Sequence, residues 1–228
     1  MKQQLITFFT LFIVCITATY GQYTETRTIK AFDELRVTGP FDIELVEDQN
    51  NQLIIESEEI DLHKIVTEVD GTTLKIRSAA AFTKQKKIKI TVHYDVLREI
   101  TSSAGAIVFS DRTIYGDKLE LTANAGGRME FVVDVEKVEL KASQGAEVRI
   151  DGQSKSADFN CTTGAQIYAA LLSSKEVFVE VSTGGVAEVN ATKRLDAHAT
   201  TKGEVLYVGD PEVLIDDVKL KGIIKKKG

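Results

Sequence analysis

Hydrolytic and metal sites are built from histidines, thiols and clustered carboxylates. This 228-residue chain has only three histidines, His63, His93 and His198, and two cysteines, Cys15 and Cys161. A nucleophilic triad needs a histidine base oriented by an acid and facing a hydroxyl or thiol. A structural or catalytic zinc needs ligands at short repeats, and neither His-x-x-x-His nor Cys-x-x-Cys occurs. The carboxylates Glu147, Asp158, Glu180 and Glu188, with Arg149, are spread along the chain rather than gathered, and Asp216-Asp217 reads as a solvated turn. The expectation is therefore no catalytic residue, no metal and no cofactor. Binding chemistry is better represented. Ser103, Asn124, Ser143, Thr162, Ser182 and Thr201 recur at one place in a repeat. Such a column serves either as a hydrogen-bonded ladder or as a polar strip for a glycan or partner protein. Carbohydrate sites favour aromatic platforms; Trp is absent, and Tyr115 and Tyr168 are the nearest candidates.

The elements that must position these residues follow from the glycines. Gly105, Gly126, Gly145, Gly164, Gly184 and Gly203 are separated by 21, 19, 19, 20 and 19 residues. A fixed period near twenty is the mark of stacked supersecondary units. Five residues before each glycine stand Ile100, Leu121, Leu140, Phe159, Val179 and His198; three before stand Ser102, Ala123, Ala142, Cys161, Val181 and Thr200. Three after stand Val108, Met129, Val148, Ile167, Ala187 and Leu206, and five after stand Ser110, Phe131, Ile150, Ala169, Val189 and Val208. Mainly apolar columns two residues apart are the signature of strands with one buried face. Each coil reads as strand, tight bend at glycine, strand, with the six glycines as structural bends. Stacked coils pair like strands in parallel, and backbone twist favours a right-handed β-helix. The alternative, a β-sandwich, does not predict identical columns every twenty residues. This register puts Cys161 and His198 in the core.

The rest of the chain is less regular. Lys2, the apolar run Leu5–Ile16 and the small residues before Gln22 read as a signal peptide over residues 1–21, with Cys15 in its apolar stretch. Twelve apolar residues fall short of the roughly twenty a spanning helix needs, so an integral membrane protein is not expected. Residues 22–97 read as an irregular β region that caps the solenoid, 98–211 as about six coils closed by Asp210-Pro211, and 212–228 as a basic tail. Strands are expected at 27–30, 35–38, 41–46, 52–56, 73–77 and 87–93, with one or two helical turns from Glu58 to Ile65. The net charge of −6 becomes −7 without Lys2, which argues against nucleic acid as a partner.

Three stretches carry a resemblance. Phe32-Asp33-Glu34-Leu35-Arg36-Val37-Thr38-Gly39-Pro40-Phe41-Asp42-Ile43, Thr67-Glu68-Val69-Asp70-Gly71-Thr72-Thr73-Leu74-Lys75-Ile76 and Val205-Leu206-Tyr207-Val208-Gly209-Asp210-Pro211, with the glycine coils between, resemble the head GIN domain family of auto-transporter adhesins. The resemblance covers roughly residues 28 to 215. It implies an all-β, pectin-lyase-like helix and an adhesive role, and brings no catalytic residues with it. The 18 residues after Asp210 are too few for a self-translocating barrel of about eight strands. The expected function is a non-catalytic, exported binding or adhesion module of the cell envelope. Its partner would be an envelope protein or glycan, and homo-oligomers would be possible. A polysaccharide-active β-helix enzyme and a purely structural envelope protein are the alternatives.

Overall fold

The computed structural model describes residues 23–57, 62–78 and 88–227. The expected signal peptide, with Cys15, lies outside the described residues, as does part of the expected helical stretch; its remainder is a single 3-10 turn, Leu62–Lys64. The strands of the first half are β1 (Tyr23–Thr28), β2 (Glu34–Thr38), β3 (Asp42–Glu47), β4 (Gln52–Ser57), β5 (Ile65–Asp70), β6 (Thr73–Ser78), β7 (Ile88–Tyr94), β8 (Glu99–Ser103) and β9 (Ile107–Phe109). Those of the second half are β10 (Ile114–Ala123), β11 (Arg128–Ala142), β12 (Glu147–Cys161), β13 (Gln166–Tyr168), β14 (Leu172–Val181), β15 (Val186–Ala199), β16 (Glu204–Val208), β17 (Val213–Val218) and β18 (Ile223–Lys226). They wind into a mainly parallel β-helix of about seven turns.

One coil shows why the sequence folds this way. In β11 the side chains of Met129, Phe131, Val133 and Val135 are buried, and those between them face out. At Glu136-Lys137 two residues in a row face outward, after which Val138, Leu140 and Ala142 are buried. That slip in the period-2 alternation marks the corner between two sides of the helix. Stacking then places like on like: Leu121, Leu140, Phe159 and Val179 share one inward column. Cys161 is fully buried, and its thiol donates to the Ala165 carbonyl at 3.2 Å. Burial pushes that thiol up to about 11, so it is an inert packing residue at neutral pH.

The coils turn on two successive left-handed residues closed by an i to i+3 hydrogen bond, as in Ser143-Gln144-Gly145-Ala146, where Gln144 and Gly145 have φ of 54° and 70°. Gly105, Gly126, Gly164 and Gly184 hold the same place, with φ between 69° and 79°. Gly203 does not. There the left-handed pair is Thr201–Lys202, and Gly203 follows it, where earlier coils have Ala165 or Gly185. The reason for glycine at 203 is close approach, since a Cβ there would lie 2.4 Å from the Val181 carbonyl oxygen. The one-residue shift moves the whole coil: Ala197 and Ala199 are buried, and His198 faces out. His198 therefore is not a core residue. Thr200, Leu206 and Val208 likewise leave the inward columns, which continue through Ala199 and Val205.

Two further expectations change. Residues 213–226 are not a tail. Leu220 and Lys221 supply another left-handed pair, Gly222 donates to the Lys219 carbonyl, and β17 and β18 pair in parallel with β15 and β16. The ladder therefore continues past Pro211. The first half is also more ordered than an irregular cap. β2 lies between β6 and β8, and β3 between β7 and β9, all in parallel. A coil early in the sequence is thus inserted between two later ones. Leu35 stacks between Leu74 and Ile100, and Ile43 between Ile90 and Val108. Beyond this, β4 runs antiparallel to β7, β5 antiparallel to β6, and β1 antiparallel to β4, closing that end.

Candidate functional site

The side formed by the strands that enter each turn carries an outer row not read in the sequence. Glu34, Glu99, Glu120, Glu139 and Asp158 stack in register on successive rungs, followed by Phe178 and Asp196. Neighbouring rungs lie about 4.8 Å apart. Adjacent carboxylates at that spacing repel by on the order of 1 kcal/mol even in water. Interleaved cations offset this. Arg36 lies 3.6 Å from Glu34 and 3.4 Å from Glu99, Lys118 lies 2.7 Å from Glu120 and 3.0 Å from Glu139, and Lys137 lies 2.5 Å from Glu139. Hydrogen bonds from Lys137 and then Lys118 hold the Glu139 carboxyl below the usual glutamate value. The spacing did contain the signal, since Glu99, Glu120, Glu139 and Asp158 all stand six before their glycines. Only Glu34 needed the inserted coil.

Two depressions flank this row. The larger, about 590 Å³, lies where the link between β7 and β8 meets the start of β10. Its polar walls are Glu47, Asp95 and Asp117, none of which has an ion-pair partner among the described residues. Arg98, paired with Asp33 at 3.5 Å, and Lys118 add positive charge on the rim. The Tyr115 side chain is 69% exposed and Val96 48% exposed, giving an aromatic and aliphatic platform at the mouth. Tyr94 also lines the cleft. It is only 4% exposed, and its hydroxyl makes no hydrogen bond to the described protein. Burial, then the charge of Glu47, pushes that phenol up to about 12, so it stays a neutral donor across the physiological range.

The second depression, about 380 Å³, runs over Asp158, Phe178, Arg194 and Asp196. The Phe178 ring meets the His198 ring at 5.4 Å. His198 Nε2 lies 3.0 Å from Asp196 Oδ1, an oxygen that is buried and has no well-directed donor, and Nδ1 lies 3.6 Å from Asp217 Oδ2. Asp216 and Asp217 belong to β17 rather than to a turn.

The other expected positions are dispersed. His63 is in the 3-10 turn, and His93 Nδ1 lies 3.3 Å from Asp48. Tyr168 already holds the Arg149 guanidinium 5.3 Å from its ring centroid and bonds Gln166 through its hydroxyl, so its face is occupied within the chain. In the polar column, Ser103 bonds Thr38 at 3.1 Å across rungs. From Asn124 to Ser182 the rungs are instead joined through backbone, as where Ser143 N–H donates to the Ala123 carbonyl. Among the described residues no group of three or more His, Cys, Asp or Glu side chains converges as a metal site. No described helix is long and apolar enough to cross a membrane.

Residues 31–211 match the family model described as "Putative auto-transporter adhesin, head GIN domain". Three crystal structures, each described as a putative adhesin, share the fold. One from Bacteroides fragilis NCTC 9343 is 20% identical with a TM-score of 0.84, over 92% of this chain and 98% of that one. One from Parabacteroides merdae ATCC 43184 is 22% identical with a TM-score of 0.72, over 91% and 96%. One from Parabacteroides distasonis ATCC 8503 is 20% identical with a TM-score of 0.72, over 91% and 97%. No curated protein matches the chain.

Proposed function

The chain belongs to the head GIN domain family, and from that premise we propose that it is a non-catalytic binding module of the cell envelope, exported behind a cleaved leader and adhesin-like in role. The cleft beside Tyr115 is the binding site in this reading, and a hydroxyl-rich saccharide of an envelope or surface glycan is the ligand. The observation that carries it is the mixture of groups in one place. An exposed Tyr115 ring can stack on the C–H face of a sugar. Glu47, Asp95 and Asp117 accept from sugar hydroxyls, and the unpartnered Tyr94 hydroxyl donates. A cleft of several hundred Å³ with few convergent polar groups is the usual form of a small-ligand site. Excess acid in the walls favours neutral or amino sugars over anionic ones. The three histidines lie outside this cleft, so no general base of that type is supplied to it.

The test is a glycan array followed by calorimetry on any hit. Tyr115→Ala should weaken binding at least about tenfold, or 1.4 kcal/mol. Tyr168→Ala should leave it unchanged. A blank array, or a hit indifferent to Tyr115→Ala, overturns the reading.

A further inference from the structure

Among the described residues nothing covers the outer side of the last coil. Among the described residues β17 pairs only with β15, and β18 only with β16, so each presents one free edge of backbone N–H and C=O groups. The side chains match that exposure. Val213, Leu214, Ile215, Val218, Leu220 and Ile223 are 39–74% exposed, and they make up six of the twelve exposed large hydrophobics among the described residues. That concentration in one short segment is a patch rather than the scatter normal on a surface. The charges are sorted as well. β17 carries Asp216 and Asp217, whereas β18 and the residue after it carry Lys225, Lys226 and Lys227. β17 runs into the turn at Lys219–Gly222 and β18 runs out of it.

We propose that two copies of this chain stack end to end through this coil, about a two-fold axis passing through the turn. That operation lays the β17 of each copy antiparallel on the β18 of the other. The free backbone edges pair, the apolar patches cover each other, and the acids of β17 meet the lysines of the second copy's β18. Pairing β17 with its own copy would set acid on acid and is disfavoured. A two-fold contact is closed, so it yields a dimer rather than a filament. The opposite end is built of antiparallel strands, so it does not offer a matching parallel rung. The lysines now rest on Glu204, Asp210 and Glu188 of their own chain, in exposed pairs weak enough to exchange.

Sedimentation equilibrium of the purified protein from about 1 µM to 1 mM should show a monomer–dimer transition. The double variants Asp216→Lys/Asp217→Lys and Lys225→Glu/Lys226→Glu should each weaken self-association at least tenfold. Mixed together they should associate with each other, a rescue that misfolded variants would not give. The proposal is overturned if the parent protein stays monomeric throughout, with Asp216 and the flanking lysines merely blunting an edge. It is equally overturned if the charge-reversed variants dimerise as tightly as the parent, or if their mixture does not associate.

Discussion

At the end of the stack nearest the N-terminus the ladder turns back on itself, and at the other end the last described strands, β17 and β18, pair on one side only. The closed end is made by reversal of direction. β4 and β5 run antiparallel to the first rung, and β1 covers β4. Arg27 then ties the outer strands together: Nη1 donates to the Ile65 carbonyl at 2.7 Å and to Thr67 Oγ1 at 3.0 Å, and Nη2 donates to the Leu62 carbonyl at 3.0 Å. Beneath it Leu53, Ile55, Leu74, Ile76, Ile88 and Ile90 are almost fully buried. At the open end the inward positions are Leu214, Asp216 and Val218, stacked on Leu195, Ala197 and Ala199, and Leu214 and Val218 remain 43% and 48% exposed. The difference shows that the periodic columns specify the shaft of a solenoid, while its ends are decided by residues outside the period.

The largest test of this contrast is a pair of truncations. Ile55→Ala should cost about 2–5 kcal/mol in urea unfolding. Leu214→Ala, measured at low concentration, should stay within about 0.5 kcal/mol. Equal losses would mean that the two ends are equally packed. The next contrast uses glycines. In Gly203→Ala the new Cβ would lie 2.4 Å from the Val181 carbonyl oxygen, between coils held on both sides. It should cost about 1–3 kcal/mol. Gly222→Ala meets the Ala199 oxygen at 2.2 Å, but its coil is free to move away, so a smaller loss in melting temperature is expected.

Removing the Arg27 tie by Arg27→Met should destabilise the cap by about 1–2 kcal/mol, because partly buried carbonyls lose a charged donor. Hydrogen exchange should show faster opening of β1 and β5 in that variant, with β17 and β18 unchanged. The smallest effect lies between the ends. Glu139 is held below the ordinary value of 4.5 by Lys137 and Lys118. Its contribution to stability is thus complete above pH 4.5 and is lost as pH falls through the depressed value. Lys137→Met should flatten the loss of stability between neutral pH and pH 3, read from urea midpoints. An unchanged profile would show that Lys137 adds nothing to what Lys118 and solvent already supply.

The shaft was legible because its signal is covalent spacing. Columns such as Leu140–Phe159–Val179 survive any small change of coil length. Glycine is an imperfect anchor for the coils. The turn needs two left-handed residues, and Thr201–Lys202 and Leu220–Lys221 adopt that conformation without glycine. Anchoring on Gly203 therefore shifted one coil by a residue and turned His198 inward. The last coil, with Ser/Thr-x-Gly replaced by Lys219-Leu220-Lys221-Gly222, read as a basic tail. The cleft was hardest to see. Glu47, the adjacent Tyr94-Asp95 and Tyr115 come from three separate strands, and only the inserted coil brings Glu47 to the others. Tyr115 and Asp117 share a coil, but nothing in that coil marks Glu47, Tyr94 or Asp95 as their neighbours.

The inserted coil has a consequence for how the chain is made. β2 finds one neighbour 39 residues later and the other 65 residues later, whereas most rungs of the shaft close after about nineteen. In equilibrium terms the longer closure is minor, about 0.6 kcal/mol for each doubling of loop length. In time it is not, because contacts far apart in sequence form slowly. A ribosome delivers β2 and β3 first, yet they cannot dock until β6 to β9 have followed. The earliest rung to be synthesised is therefore a late one to lock. The coils made last can zip by short steps, leaving the opening segment waiting, extended, for its slot.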